Sequence, residues 1–455
     1  MIKQNDILEL DIIDYGSNGE GVARHEGVVI FVPFAIKGER AKVKITYVKR
    51  AFATAQLLEV IKASPFRQQP VCNRFMRCGG CNLLHIKYDE QLRLKKGILD
   101  TALRKNIYDE LAIADCIPSK KVLGSRNKVQ LPFGIVNGRA ALGFFRENTH
   151  KIVSITKCFL HEDWLEKLIA TTLNFVNGNG ISVYDEISRK GLLRHLVARY
   201  IDNQLCLVLV INGRQLPKSE VYIEMLSKDF DNFSLFLSVN TKKTNVILGN
   251  ELIPVVDKPF IIDVLGIKIR LNPLSFLQVN DYIRDEIYSA VIEKTSSSDI
   301  VIDAFSGVGI IGAVLAKSGV KKVYNIELVP QAIADANALA GQNGISDKVT
   351  NICGDTAQEL PKLLKEIKEN NAPLPNISII LDPPRKGVAQ AVIDTLNGID
   401  FPLNLIYISC NPATLSRDLL LLTKNDNYAI ISITPYDMFP NTRHLETLVC
   451  LSRKV

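Results

Sequence analysis

Residues 298–328 read SDIVIDAFSGVGIIGAVLAKSGVKKVYNIEL. An apolar run ends at an aspartate, a glycine-bearing turn follows, and a helical pattern leads into a second apolar run that ends at Glu327. Parallel strands need a crossover between them, so strand, turn, helix and strand in this order is the repeating unit of a parallel sheet. The unit recurs. PQAIADANALAGQNG (330–344) precedes KVTNICGD (348–355), AQELPKLLKEIKEN (357–370) precedes ISIILDPP (377–384), and VAQAVIDTLNG (388–398) precedes LNLIYISC (403–410), after which a helix is expected near Ala413. Five such units predict a doubly wound α/β sheet. NYAIISITPYDMF (427–439) and HLETLVCLSRK (444–454) then add a terminal antiparallel hairpin to the sheet.

Outward from this region, 455 residues exceed what one hydrophobic core organises, so a multidomain chain is expected. Three units are read: residues 1–63, 64–265 and 266–455. The first has short alternating strands and closely spaced glycines, which suit a small OB-like β-barrel. The second is mixed α/β, with a cysteine-rich opening and a helical pattern YDEQLRLKKGILDTALRK at 88–105. The third is the Rossmann-like unit described above. A content of 47% hydrophobic and 23% charged residues is that of a folded protein. No apolar run reaches the ~18 residues of a membrane span, and MIKQNDILELDIIDYG lacks a signal-peptide core. A cytoplasmic monomer with no membrane partner is expected, its nine cysteines serving as ligands, nucleophiles or core residues rather than disulfides.

The net charge of +7 is unevenly placed. Residues 62–106 hold ten Lys or Arg against Asp89, Glu90 and Asp100, an excess equal to that of the whole chain. Such a stretch is either a solvated helix face or a phosphate-binding surface. Tyr47, Lys49, Arg50 and Phe52 mix cations with aromatics, a combination suited to nucleic-acid stacking.

Ligands of α/β sheets bind beyond the carboxyl ends of the strands, which makes the strand-end residues the candidate site. Glu327 can accept hydrogen bonds from a ribose, and Asp355 stands where an adenine edge would lie. Asp382 opens the proline-stiffened loop DPPRKG. These features fit a dinucleotide and S-adenosylmethionine equally. Cys410 lies between a strand and a helix start, where the helix end and any nearby cation would favour its thiolate. Cys72, Cys78 and Cys81 have the spacing C-x5-C-x2-C in a basic, glycine-bearing segment, which points to a metal centre, with Cys158 the best placed fourth ligand. Zinc sites pair cysteines in two short knuckles, so an iron–sulfur cluster is the better reading. The spacing also differs from the C-x3-C-x2-C of radical enzymes.

Taken in order, CNRFMRCGGC with Cys158, SFLQVN (275–280), DAFSGVG (303–309), LDPPRKG (381–387), ISCNP (408–412) and FPNTRHLETL (439–448) resemble the RNA uracil-5-methyltransferase family over essentially the whole length. The resemblance implies a TRAM barrel, a central domain with a [4Fe-4S] cluster on Cys72, Cys78, Cys81 and Cys158, and a methyltransferase domain that uses S-adenosylmethionine. It also implies that Cys410 is the nucleophile and Glu446 the general base, and that Gln278, Phe305, Glu327 and Asp382 contact cofactor or base. Ser306 departs from the pattern, since relatives often carry Cys there, and Ile310 replaces a residue that is polar in some members. The expected substrate is RNA rather than DNA, most specifically a uridine of 23S ribosomal RNA. A transfer-RNA uridine is the alternative, and a non-catalytic RNA-folding factor is the rival outside enzymology.

Overall fold

The computed structural model describes residues 2–107, 112–146, 149–243 and 245–453. The amino-terminal strands are Ile7–Asp11, Asp14–Tyr15, Gly21–His25, Val28–Val32, Arg40–Val48 and Phe52–Lys62, and they form one six-stranded row. Its two end positions are the halves of a single run, residues 7–15, which pairs with Arg40–Val48 on one side and Gly21–His25 on the other. The row therefore closes through a bend at Ile12 and Ile13. In Arg40–Val48 the period-two pattern turns Ala41, Val43 and Ile45 into the core and leaves Lys42 and Lys44 outside it.

The central sheet has seven strands, ordered Glu251–Val256, Asn232–Val239, Gln204–Ile211, Leu193–Ile201, Lys128–Val136, Arg139–Phe145 and Ile152–Ser154. The run QLCLVLVI at 204–211 is apolar almost throughout because both of its faces are covered. Leu205, Leu207, Leu209 and Ile211 pack with residues of helices Trp164–Gly178 and Ser219–Asp229. Cys206, Val208 and Val210 share the opposite core with Ile283, Ile287 and Val314 of the carboxy-terminal unit.

The carboxy-terminal sheet also has seven strands, ordered Val349–Cys353, Lys322–Glu327, Ile300–Asp303, Ile377–Leu381, Asn404–Ser409, Glu446–Arg453 and Tyr428–Tyr436. The first five are parallel, and Glu446–Arg453 runs antiparallel to both of its neighbours. Lys454 of the expected last strand lies outside the described residues. Strand order reverses between Ile300–Asp303 and Ile377–Leu381, which opens the ligand crevice at their carboxyl ends.

Helix Tyr88–Leu103, read from sequence as part of the central unit, packs against this sheet's own helix Pro412–Thr423. Leu99 and Leu103 share a core with Leu415, Leu419 and Leu422. Ile113 and Ile117 then bridge in parallel to Ile433 and Tyr436, which covers the exposed edge of Tyr428–Tyr436.

Candidate active site

Helix Pro412–Thr423 starts sharply because Asn411 caps it, accepting a hydrogen bond from the Ala413 amide at 3.1 Å, and Pro412 occupies its first position. The same helix fastens the DPPRKG loop. The Asn411 side-chain amide donates to the Arg385 carbonyl at 3.0 Å, and Asp418 accepts from the Val388 amide at 2.9 Å and from the Tyr407 hydroxyl at 2.7 Å. Arg385 is thereby held at the Cys410 end of the sheet.

Strand Asn404–Ser409 pairs with Glu446–Arg453 in a register that matches Ser409 with Thr447. Cys410 and Glu446 lie just beyond this last pair and are within electrostatic reach of each other. Glu446 is 3% exposed, and burial together with the Asp382 carboxylate raises its pKa well above the usual carboxylate range against the pull of Arg385. Burial likewise pushes Asp382 up to about 7. Cys410 is pushed up to about 11 by burial and by the Glu446 and Asp382 carboxylates, with Arg385 opposing them. This overturns the expectation of a ready thiolate. Desolvation and the two acids together outweigh the pull of Arg385.

Across the switch point, the glycine turn is organised by Glu327, whose carboxylate accepts from the amides of Gly307 (3.0 Å) and Val329 (2.9 Å). Gly307 has φ +55° with open space where a side chain would begin, leaving room for a ligand over the turn. Gly309 has φ +75°, and a Cβ there would lie 2.9 Å from the Asn325 amide nitrogen. Asp355 caps helix Thr356–Asn370 through the Ala357 amide at 2.9 Å. Phe305 is half-buried on the core behind the turn. Gln278 is buried at the approach to helix Asp281–Thr295, and its carbonyl accepts from Asn127 at 3.2 Å.

Two residues outside the candidate set also belong here. Asp303 is fully buried with no side-chain partner for its carboxylate, and burial and Asp382 push its pKa up to about 7 against the Phe305 backbone amide. Arg385 is the cation that opposes the acids around Cys410. Both were visible in the motifs DAFSG and DPPRKG, but only their burial and neighbours give them weight.

Among the described residues, no group of three or more His, Cys, Asp or Glu is arranged to hold a metal ion. Cys72, Cys78, Cys81 and Cys158 are nonetheless within electrostatic reach of one another. Burial and the neighbouring thiols push Cys81 up to about 12, whereas Cys158, at about 11, and Cys78 owe their rise chiefly to burial. Arg126 is buried beside Cys81 and Cys158, with its Nε unpaired and its guanidinium 5.8 Å from the Phe439 ring. The chemistry of this donor set, four thiols within electrostatic reach of one another beside a buried cation, is compatible with an anionic centre, although the thiols are not arranged as a ligand cage.

The basic stretch is less open than its composition implied. Arg67 pairs with Glu39, Arg93 with Glu90, Lys95 with Asp437, Lys96 with Asp115 and Arg104 with Asp100, so five of its ten cations are engaged within the protein. Three of those acids lie outside the stretch and escape a local charge count.

The sequence pattern of the family described as tRNA (Uracil-5-)-methyltransferase matches residues 202–454, and that of the TRAM domain matches residues 3–58. An RNA methyltransferase of Clostridium acetobutylicum is 36% identical over 99% of this chain and 98% of its own length. One from Halalkalibacterium halodurans is 35% identical over 100% of this chain and 98% of its own. Among solved structures, the Pyrococcus abyssi tRNA (uracil-54, C5)-methyltransferase in complex with S-adenosyl-L-homocysteine superposes with a TM-score of 0.75 at 27% identity. That likeness covers 97% of this chain and 99% of the other. The chain belongs to the tRNA (uracil-5-)-methyltransferase family, and it is an RNA methyltransferase that uses S-adenosylmethionine.

Proposed function

We propose that this member of the family methylates carbon 5 of a uridine in 23S ribosomal RNA, with Cys410 as nucleophile and Glu446 as base. The observation that carries the chemistry is the meeting of Cys410 and Glu446 at the ends of adjacent antiparallel strands. Carbon 5 of uracil is a weak nucleophile. Addition of the Cys410 thiolate at carbon 6 moves the ring's electrons toward carbon 5, which can then take the methyl group supplied by S-adenosylmethionine. Glu446 next accepts the carbon-5 proton, the C5–H electron pair forms the C5–C6 double bond, and the C6–S bond breaks to return the thiolate. Arg385 is the cation available to stabilise that thiolate, whose formation the surrounding acids oppose.

The site lies inside the crevice, so the target base must leave its stack. Glu327, fixed by two amides, presents its remaining lone pairs to the ribose; Asp355 stands at the adenine edge; Gln278, Phe305 and Asp382 line the cofactor and base. On the amino-terminal barrel, the Lys49 ammonium lies 5.7 Å from the Tyr47 ring and 5.8 Å from the Phe52 ring, a cation–aromatic group suited to unstacked bases. Cys72, Cys78, Cys81 and Cys158 would hold a [4Fe-4S] cluster that orders the loop around it, since methyl transfer needs no electrons. No described helix is long and apolar enough to cross a membrane, and a cytoplasmic enzyme suits this substrate.

A transfer-RNA uridine is the second reading, favoured by the full-length likeness to the Pyrococcus abyssi enzyme. The barrel and the four cysteines weigh toward the ribosomal reading, because family members that act on transfer RNA commonly lack both. The decisive test is incubation with labelled S-adenosylmethionine and either 23S ribosomal RNA or transfer RNA from a strain lacking the gene, followed by mapping of 5-methyluridine. Label in 23S RNA is expected. Label confined to transfer RNA supports the second reading, and none in either overturns both. Anaerobic purification should yield brown protein with iron and sulfide, whereas colourless, zinc-loaded protein would overturn the cluster assignment.

A further inference from the structure

The loop that leads into Glu446, residues 437–445, is held largely by side chains and backbone from the segment that follows the cysteines. Lys95 and Asp437 form an ion pair in which both side chains are fully buried, and the Lys95 ammonium also donates to the Phe439 carbonyl at 3.0 Å. Gln91 makes a two-way contact with Asn441, donating to its side-chain oxygen at 3.2 Å and accepting from its backbone amide at 2.9 Å. The amides of Asn82 and Leu83 donate to the Asn441 carbonyl at 3.2 and 3.0 Å, and the Asn82 side-chain oxygen accepts from the Arg443 amide at 2.9 Å. Asn441 itself sits at φ +65°, a strained conformation that these contacts hold in place.

The loop closes the open end of the last hairpin, where Tyr436 and Glu446 form the terminal rung. Terminal rungs fray unless something beyond them is fixed. Fraying here would carry Glu446 away from Cys410, and a carboxylate displaced by about 1 Å loses much of its value in proton transfer. The neighbouring groups are arranged for this duty: Lys95 and Gln91 lie one helical turn apart on Tyr88–Leu103, and that helix is anchored to Pro412–Thr423 behind Cys410. One element thus braces both sides of the site.

We propose that Asn82, Gln91 and Lys95 are positioning residues for the proton-removal step, holding the 437–445 loop so that Glu446 stays over the Cys410 adduct. The proposal rests on the assignment of Glu446 as base. In that step Glu446 takes the carbon-5 proton, the C5–C6 double bond forms, and the C6–S bond to Cys410 breaks. Loosening the brace slows this step and leaves the earlier methyl transfer largely intact.

The test is a single-turnover reaction of the purified full-length protein with substrate RNA and labelled S-adenosylmethionine. S-adenosylhomocysteine formation reports methyl transfer, and the SDS-stable RNA–protein adduct reports elimination. Asn82→Ala and Gln91→Leu are expected to resolve the adduct on the order of tenfold more slowly while methyl transfer changes by less than about threefold. Asn82→Asp keeps the acceptor for the Arg443 amide and should behave as wild type. Asn82 is only half-buried, so its variants will fold even if Gln91→Leu does not. If Glu446→Gln accumulates adduct but Asn82→Ala and Gln91→Leu do not, the brace is refuted and the base assignment stands. Equal losses in both steps, with a lowered melting temperature and no rescue by Asn82→Asp, would reduce these residues to a folding role and also overturn the proposal. Absence of adduct in Glu446→Gln would overturn the underlying reading.

Discussion

Cys410 lies one residue past, and Glu446 one residue before, the terminal Ser409–Thr447 pair, close enough for their charges to interact, although 35 residues and a helix, a strand and a loop separate them in the chain. The antiparallel insertion of Glu446–Arg453 beside Asn404–Ser409 is what brings them together. Cys410→Ala should abolish methyl transfer, and Glu446→Gln should form the methylated RNA adduct without releasing it. A gel shift that survives SDS, seen in the second variant and missing from the first, checks the pair. Unchanged turnover in both would remove them from the mechanism.

The thiol at 410 should be slow toward alkylating reagents in the RNA-free protein. Burial and two carboxylates push it up to about 11 from 9.0, so near pH 8 its thiolate fraction falls about a hundredfold below that of an unperturbed cysteine. Iodoacetamide labelling followed peptide by peptide should give a rate that climbs steeply with pH and bends near 11. A bend below pH 8 would restore the activated thiolate that the helix end suggested.

Asp303 and Asp382 should make the ligand-free fold less stable as pH rises. In the folded protein both carboxyls hold their protons up to about 7, against 3.8 as the ordinary value. Between those values the folded state binds more protons than the unfolded chain, so their contribution is complete below about pH 4 and is lost on the way to pH 7. Asp303→Asn should raise the unfolding free energy at pH 8 by on the order of 4 kcal/mol, seen as a higher denaturant midpoint, and change it little at pH 4. An equal change at both pH values would show that Asp303 is not titrating.

RNA affinity should depend on fewer cations than the composition of residues 62–106 suggests, because five of the ten are engaged in intramolecular pairs. Arg74 and Arg77, between Cys72 and Cys78, stand outside those pairs. Changing either to Gln should weaken binding to all RNAs alike and lower the slope of log affinity against log salt by about 1. Lys95→Gln should leave that slope unchanged, since its ammonium is sealed against Asp437.

Much of this protein is legible along the chain. The strand–helix rhythm from residue 298 onward reads directly as a parallel sheet because hydrophobic periodicity is local, and the residues ending each strand follow from it. The cysteine spacing in CNRFMRCGGC and the motif set in order are equally local, and they carried the family resemblance. What stayed hidden depends on contacts across long sequence separations: that helix Tyr88–Leu103 belongs against Pro412–Thr423, that Lys95 is buried rather than presented to RNA, and that residues 82–95 brace the loop before Glu446. The same holds for the sign of the Cys410 shift. A sequence shows which groups a thiol is near in the chain, but its proton affinity is set by desolvation and by the acids Asp382 and Glu446 from two other strand ends, and those meet only in the folded sheet.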